Sequence, residues 1–414
     1  MIINLRKHLI FLLLVCMLCR CIDPYSPKLN AFESLLVVDA FLTNENRSYN
    51  VRLSRTIPAQ NIKPSMVSGA LVIIKDENGN NSQLQQTSAG IYKTDSLLFQ
   101  GEIGNTYTLY IKTAEGTEYQ SEPCLMYPVQ QIDSVYFVKD QEISNNGSET
   151  NQGIRILLDS RSGEENKYFR WIYNEWWKFS VPNPKEFNYI DAQTITNVDQ
   201  IKQVCWKNNI SSEIIIQSAE FGQSAGIEKK PILFIASDKS DRLLIQYSIE
   251  VQQLSLSKNE YEFWDHMQQI NVSGGDIFEK QPFSIVSNIH NINSPNEQVL
   301  GYFEVSAVNK KRIYIIASNI SELDLPVYQY DCESVVIGPD DYAPPGGNAT
   351  PVTFDNINYW YTLAGYAFVK PLYNDRQVLI KLVFSKSVCT NCTIGGSLKK
   401  PDFWVDLVLP QKNK

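Results

Sequence analysis

Histidine is the scarcest of the residues that perform chemistry, because this chain of 414 residues has only three. His8 lies in the first apolar segment, which leaves His266 and His290 for the rest of the chain. The H-E-x-x-H pattern of zinc proteases and the glycine-rich phosphate loop are both missing. A Ser-His-Asp triad would have to use His266 or His290, and nothing around either resembles an activated nucleophile. We therefore expect no enzyme activity, no catalytic residues and no cofactor.

Apolar runs of bilayer length are also missing, as are low-complexity segments. The chain is 43% hydrophobic and 20% charged, which is typical of a folded body with room for two or three domains. Its formal net charge is −8, with an isoelectric point near 5.2. This acidic balance argues against binding to nucleic acid or to an anionic lipid surface through bulk charge.

The first twenty residues have the pattern of a secretory signal. Arg6 and Lys7 precede an apolar run from Leu9 to Leu18, which is too short to cross a bilayer as a helix. The run ends in cysteines and not in the small residues of an A-x-A cleavage site, so a lipoprotein signal is favoured over an ordinary cleaved signal. Residues 1–20 are thus predicted to be the signal peptide of a lipid-anchored protein.

Cys21 is the predicted lipidation site, although Cys19 is an alternative. Arg20 stands directly before Cys21, where lipoprotein signals prefer a small residue. Cys21 is favoured because a polar, proline-containing stretch follows it, and residues 21–34 would serve as a tether. Several acyl chains on one cysteine anchor a protein stably, whereas a single chain binds only marginally.

Residues 35–127 predict an immunoglobulin-like or prealbumin-like β-sandwich, because short alternating strands recur there at the spacing of that architecture. Residues 128–414 predict a larger β-rich domain, either a sandwich or barrel-like. It contains one embedded helix near residues 257–270, whose start is a capping box formed by Ser257 and Glu260. The predicted fold class is therefore mainly β.

An aromatic segment from Lys167 to Ser180, KYFRWIYNEWWKFS, is best interpreted as a strand with one apolar and one polar face. The simpler interpretation is a core strand. Trp176 is the exception on the polar face, and Trp176 and Arg170 together are our candidate ligand-facing residues.

Five cysteines follow Cys21, and two of them form the close pair Cys389 and Cys392. Zinc would need four good ligands, and a redox centre would need a helix after the pair, so neither is supported and no metal is expected. In an oxidising compartment a disulfide is favoured, either within the pair or from Cys332 to one of its members. We expect a structural latch for the carboxyl-terminal strand, with at least one thiol left free.

The order of several segments resembles a known family. The segments are CIDPYSP, LLVVDAFLT, NVRLSRT, YEFWDHMQQINVSGGDIF, NSPNEQVLGYFEVSAVNKKRI and CTNCTIGGSLKKPDFW. Together they resemble a Bacteroidota family of outer-membrane lipoproteins that is known only as a domain of unknown function and is commonly encoded beside TonB-dependent receptors. The resemblance extends from about Cys21 to Trp404, and it implies an envelope location and a receptor partner. It supplies no substrate and no catalytic residues.

Two hypotheses follow for the function. The first is an accessory or ligand-binding component of a TonB-dependent uptake system, anchored in the outer membrane on its cell-surface or periplasmic face. The second is a structural or assembly subunit of an envelope complex that binds no small molecule. A hydrolase is a distant third.

Overall fold

The structure is a computed structural model that describes residues 34–407 except 59–62, 96–98, 145–146, 162–165, 220–225, 273–286, 340 and 342–352. The predicted signal peptide and the lipidation candidates Cys19 and Cys21 lie outside these residues. Within them the chain is mainly β, as predicted. No helix of the described part is both long enough and apolar enough to span a membrane.

The first ten strands occupy residues 36–125. They are β1 (Leu36–Thr43), β2 (Asn50–Arg55), β3 (Ser65–Met66), β4 (Leu71–Asp76), β5 (Asn81–Gln83), β6 (Gln85–Ser88), β7 (Ile91–Lys93), β8 (Thr106–Lys112), β9 (Glu118–Ser121) and β10 (Cys124–Leu125).

The next nine strands occupy residues 132–256. They are β11 (Ile132–Ile143), β12 (Thr150–Ser160), β13 (Tyr168–Ser180), β14 (Phe187–Tyr189), β15 (Ile195–Asn197), β16 (Val204–Ile210), β17 (Ile215–Ser218), β18 (Ile227–Ala236) and β19 (Gln246–Leu256).

The remaining elements include the described α-helices. The strands are β20 (Ile289–Asn291), β21 (Val299–Ser306), β22 (Val308–Ile316), β23 (Ser334–Ile337), β24 (Tyr366–Tyr373) and β25 (Leu379–Lys386). The helices are α1 (Lys258–Val272), α2 (Ala317–Ser321) and α3 (Ile357–Leu363), with 3-10 turns at Asp241–Leu243, Ser387–Cys389 and Cys392–Ile394.

Two six-stranded sheets enclose the first core and form the predicted amino-terminal sandwich. One sheet contains β21, β1, β2, β7, β6 and β3, and the other contains β20, β9, β8, β4, β5 and β10. In the longer strands β1, β4 and β8, alternate residues point inward, as the period of a strand requires. Tyr107, Leu109 and Ile111 of β8 are buried, for example, while their neighbours are partly exposed.

The predicted boundary at residue 127 does not follow the sheets. β21 pairs in parallel with β1 over the whole length of both strands, and β20 pairs with β9. The first sandwich therefore includes strands from residues 289–306. Gly301 permits this close pairing, because its φ is +89° and a Cβ there would lie 1.8 Å from the Val38 carbonyl oxygen.

A second core lies between a three-stranded sheet (β11, β12, β18) and a five-stranded sheet (β16, β13, β19, β22, with β17 on β13). We call the five-stranded one the large sheet. β21 and β22 are separated only by the buried Ala307, so one nearly continuous stretch of chain passes from the sandwich into the large sheet. The sandwich and the large sheet are therefore connected directly through consecutive strands.

A third, smaller core is formed by the sheet of β23, β25 and β24, the β14–β15 hairpin and helix α3. Its buried side chains include Tyr189, Tyr361, Phe368 and Phe384. The prediction of one embedded helix was therefore incomplete, because α2 and α3 accompany α1. The short α3 has no capping hydrogen bond from a side chain, and its three consecutive aromatic residues, Tyr359, Trp360 and Tyr361, hid its helical period.

Two disulfides fasten this third unit. Cys332 precedes β23 and bonds to Cys389, which follows β25, and Cys392 bonds to Cys205 of β16 in the large sheet. The predicted link from Cys332 to one member of the close pair is present, whereas the alternative bridge within the pair is not. Cys124 is free, in line with the odd number of cysteines.

We expect the two disulfides to be detectable by chemistry as well as by stability. Mass spectrometry of the unreduced, digested protein should recover Cys205 linked to Cys392 and Cys332 linked to Cys389. Replacing Cys205 and Cys392 together by serine should lower the free energy of unfolding by about 2–5 kcal/mol, because long loops are released in the unfolded state. Urea unfolding would measure this loss.

The matched control is Cys124→Ser, which removes a thiol that forms no disulfide and should cost much less. A peptide in which Cys389 is bridged directly to Cys392 would contradict the structure.

Candidate functional site

Strand β13 presents two different faces, and the structure confirms the alternation predicted for its aromatic segment. Phe169, Trp171, Tyr173, Trp177 and Phe179 are buried in the second core. Between them, every second residue lies on the opposite, partly exposed face of the large sheet. The two ligand-facing candidates, Arg170 and Trp176, both lie on that second face.

Arg170 does not face a ligand, because it is held between the two β units. Its guanidinium forms an ion pair of 2.6 Å with Glu304 of β21. It also stacks over the indole of Trp264 in α1, with 3.5 Å from Cζ to the ring centroid. Glu304 is 6% exposed at its side chain and Arg170 is 17% exposed. Arg170 thus joins the large sheet, the sandwich and α1.

Glu260 completes this group, which we call the seam cluster: Arg170, Glu260, Trp264 and Glu304. The predicted capping box is present, since the Glu260 N–H donates to Ser257 Oγ at 3.2 Å and the Ser257 N–H donates to Glu260 Oε2 at 3.3 Å. Burial raises the pKa of Glu260 well above its ordinary value, and the nearby Glu304 carboxylate raises it further. Glu260 therefore keeps its proton to a higher pH than an exposed carboxyl does.

Glu304 responds differently to the same surroundings. Burial raises the pKa of its carboxyl, while the Arg170 guanidinium opposes that shift by charge and by hydrogen bonding. Two buried carboxyls share one cation, so the cluster is neutral only when one of them is protonated. The geometry assigns the proton to Glu260 and the negative charge to Glu304.

Trp176 is covered by the carboxyl-terminal segment of the same chain. The Phe403 ring lies edge-on to its indole, with 5.9 Å between centroids, and the Arg312 guanidinium lies 3.7 Å from the Phe403 centroid. Gln246 Nε2 donates to the Val405 carbonyl at 2.6 Å. Trp176 therefore packs beneath the chain's own tail in this structure, and its role toward a ligand stays a prediction.

The tail packs on the large sheet, where a latch for the carboxyl-terminal strand was expected. Trp404 is 4% exposed and packs edge-on against Trp206 and Tyr314 of the large sheet. Phe403 is less buried, and the tail follows the sheet without pairing as a strand. The expected final strand is thus absent among the residues described up to 407.

A second buried carboxylate, Glu175, was not anticipated from the sequence. It is fully buried on β13, where it accepts hydrogen bonds of 2.8 Å from Asn209, Arg242 and Tyr247. Both of its oxygens are therefore occupied. This arrangement stabilises the core, and the complete burial of Glu175 keeps it out of contact with a substrate.

The residues considered for catalysis remain apart. His266 lies in α1 and His290 in β20, on different units. Cys124 is an unreactive thiol, because burial raises its pKa to about 12. Within the described ranges, no group of three or more His, Cys, Asp or Glu side chains is placed to hold a metal ion.

The chain also carries one match to the G-x-S-x-G spacing of serine hydrolases, at Gly222, Ser224 and Gly226. In hydrolases that serine lies on a sharp turn from a strand into a helix. Residues 220–225 are outside the described part of the chain, and Gly226 is followed at once by strand β18. The match therefore adds no support for a hydrolase.

A cavity of about 380 Å³ lies where the third unit meets the large sheet, and we call it the latch pocket. Its lining consists of Lys185, Asn188, Val198, Asp199, Gln200, Lys202, Thr390 and Asn391. Val198 is the one apolar residue among these eight. The size is within the range of small-molecule sites, and the polar lining suits a hydrophilic ligand.

Three segments of chain form the walls of the latch pocket and are tied together by their backbones. The Lys185 N–H donates to the Thr390 carbonyl at 3.0 Å, and the Cys392 N–H donates to the Lys202 carbonyl at 2.9 Å. Cys389 and Cys392 lie directly beside the pocket residues Thr390 and Asn391, so both disulfides hold this wall in place. The pocket is therefore preorganised.

Comparison with known proteins places the chain in a family. Residues 22–312 match the model of a domain of unknown function, DUF4249, which is more than half of the chain. The chain belongs to this family. No curated protein compared with the chain shows a significant match.

The DUF4249 match ends at Arg312, within β22, whereas the resemblance was expected to reach Trp404. The sandwich and the seam cluster lie inside the matched residues, and so does the large sheet except for the last four residues of β22. The third unit's sheet and the tail lie outside them. The latch pocket of this DUF4249 protein therefore combines residues from both parts.

The seam cluster predicts a large effect for Arg170→Met. The change leaves Glu304 buried without its cation, so the free energy of unfolding should fall by about 3 kcal/mol. Arg170→Lys keeps the charge but not the planar stack on Trp264, and it should recover only part of that loss. Urea unfolding at neutral pH measures both.

Lys258→Ala is the control, since Lys258 forms an exposed pair with Glu262, and its effect should stay within about 0.5 kcal/mol. An Arg170→Met protein as stable as this control would contradict the proposed role of the cluster.

The raised pKa of Glu260 predicts a pH-dependent stability. A carboxyl whose pKa is raised by folding stabilises most below its unfolded value of about 4.3 and loses that contribution as the pH rises through its folded value. Wild-type stability should therefore decline with pH by up to about 1.4 kcal/mol per pH unit relative to Glu260→Gln. Denaturant titrations from pH 5 to pH 8 would show this difference.

Glu262→Gln changes an exposed carboxyl on the same helix and should leave the wild-type pH dependence intact. If Glu260→Gln and wild type run parallel over this range, Glu260 does not hold the proton.

Proposed function

We propose that the chain is a lipid-anchored outer-membrane protein that works without catalysis, as an accessory or ligand-binding component of a TonB-dependent uptake system. Cys21 would carry the lipid, and residues 21–34 would form the tether. The partner would be a TonB-dependent receptor, and the ligand would enter through the latch pocket.

The proposed location in the cell envelope is supported chiefly by the disulfides, in a chain that begins with the pattern of a secretory signal. Four of the five cysteines beyond Cys21 form disulfides that connect distant parts of the chain. Such bonds persist in oxidising compartments and are rare in the cytosol. The family match begins at Ile22, directly after the proposed lipid site, which also supports this division of the chain.

The latch pocket supports a binding role over a purely mechanical one. It is a polar cavity of about 380 Å³ with walls fixed by two disulfides, and a preformed site of this kind costs little ordering energy when a ligand binds. Glu175, in contrast, is fully buried and hydrogen-bonded within the protein, so we assign the binding role to the pocket.

A second candidate is a structural or assembly subunit with no small-molecule ligand. It is favoured by apolar side chains that the third unit exposes: Tyr359 is 63% exposed, Leu363 69% and Val378 55%. Exposed apolar residues of this kind mark protein contacts when they are contiguous. Purification in detergent, with and without candidate nutrients, distinguishes the two roles, because only the first predicts ligand-responsive binding.

Lipid attachment is the first test of this function. Cells expressing the full chain and fed a palmitate analogue should yield labelled protein in the outer-membrane fraction. Cys21→Ser should abolish the label and release the protein from the membrane, because the acylated residue is lost.

Cys19→Ser serves as the matched control and should retain the label. If Cys19→Ser loses the label and Cys21→Ser keeps it, Cys19 is the lipidated residue. An unlabelled wild-type chain with reduced thiols in the cytosol would contradict the proposed function.

A further inference from the structure

Two lysines of the latch pocket lack the partners that neighbouring lysines have. On the large sheet, Lys207 pairs with Asp241 at 2.7 Å and Lys178 with Asp406 at 3.1 Å. Lys185 and Lys202 line the pocket and form no ion pair with any carboxylate of the described residues. Their ammonium groups are therefore available to a ligand.

A second cavity differs from the latch pocket in this respect. A wider cleft of about 560 Å³ near the β11–β12 hairpin is also lined by two basic residues, Lys239 and Arg242. Both are already neutralised, because Lys239 lies 3.7 Å from Glu149 and Arg242 lies 2.8 Å from Glu175. An anionic ligand would gain less electrostatic binding energy in that cleft, since its basic residues are already paired with carboxylates.

The remaining lining of the latch pocket supplies hydrogen-bonding groups. Asn188 and Gln200 carry amides, and Asn391 uses its Oδ1 to cap the Cys392–Ile394 turn through the Thr393 N–H at 3.0 Å. That capping bond leaves the Asn391 Nδ2 as a donor. Amides of this kind bind hydroxyl groups well.

Asp199 is the one carboxylate in the lining. It repels an anion but accepts hydrogen bonds from hydroxyl groups. With two cations and one anion, the pocket has a net positive charge on a chain whose overall charge is −8. The net charge of the pocket lining is therefore opposite in sign to the net charge of the whole chain.

We propose that the latch pocket binds a small hydroxylated molecule that carries an oxyanion, either a carboxylate or a phosphate, held by Lys185 and Lys202. This inference rests on the proposed ligand-binding function and gives its site a ligand class. The oxyanion pairs with the two ammonium groups, and the hydroxyl groups bind the amides and Asp199. Because the disulfides fix the wall beside the lysines, the site needs no rearrangement to receive the ligand.

Three sugars with one scaffold test the proposal: glucuronate, glucose 6-phosphate and glucose. Isothermal titration of the full chain, purified in detergent, should show saturable binding of at least one of the two anionic sugars and at least tenfold weaker binding of glucose. The stronger of the two anionic sugars identifies carboxylate or phosphate as the group recognised. Affinity should fall as salt is raised, because charge contributes to binding.

Variants localise the binding to the pocket. Lys185→Ala and Lys202→Ala should each weaken binding about tenfold, as expected for a hydrogen bond to a charged group. Asp199→Asn should strengthen it about threefold, since it removes a like charge while keeping a hydrogen-bonding side chain. Lys93→Ala, at an exposed position of β7 in the sandwich, is the control and should change nothing. Intact disulfides and an unchanged melting temperature would exclude misfolding.

Equal affinity for glucose and the anionic sugars, no binding of either anionic sugar, or unchanged binding in both pocket lysine variants would overturn the proposal. Palmitate labelling of the same preparation separates the two claims. If the protein is labelled but does not bind the anionic sugars, the proposed ligand class is refuted and the proposed envelope location stands. If the protein binds an anionic sugar but is not labelled, the proposed ligand class is supported and the proposed lipid anchor is refuted.

Discussion

The ion pair between Arg170 and Glu304 is the interaction on which the arrangement of the molecule depends. It connects β13 of the large sheet to β21 of the sandwich across 134 residues of sequence, and Trp264 of α1 stacks on the same guanidinium. Removing two charges from water is costly unless they pair closely. This cost makes the relative placement of the two units specific, because any other docking would leave a buried charge without a partner.

The third unit is held by a different kind of force. Its sheet lies outside the seam cluster, and covalent bonds through Cys389 and Cys392 connect it to its own start and to the large sheet. The latch pocket lies at this covalently fixed junction and not in the buried seam. The two devices therefore act at different places. The seam cluster connects the sandwich to the large sheet, and the Cys205–Cys392 disulfide connects the large sheet to the chain beside the latch pocket.

The sequence predicted what local periodicity controls. The alternation of β13, the strands of the sandwich and the capping box of Ser257 and Glu260 all appear in the structure, since each depends on residues close in sequence. Distant partners could not be predicted in this way. Nothing in residues 299–306 indicates that they pair in parallel with β1. Nothing in the sequence around Arg170 indicates that its ion-pair partner is Glu304. Cysteine spacing likewise cannot reveal that Cys392 bonds to Cys205.

The central claim is that the sandwich and the large sheet form one body through the seam cluster. Native-state hydrogen exchange on the full chain tests it most directly, by comparing amides of β1 and β21 with those of β13 and β19. The account predicts that both sets open with the same free energy, within about 1 kcal/mol, in a single cooperative event. Exchange of β1 and β21 at a much lower free energy, while β13 and β19 stay protected, would contradict it.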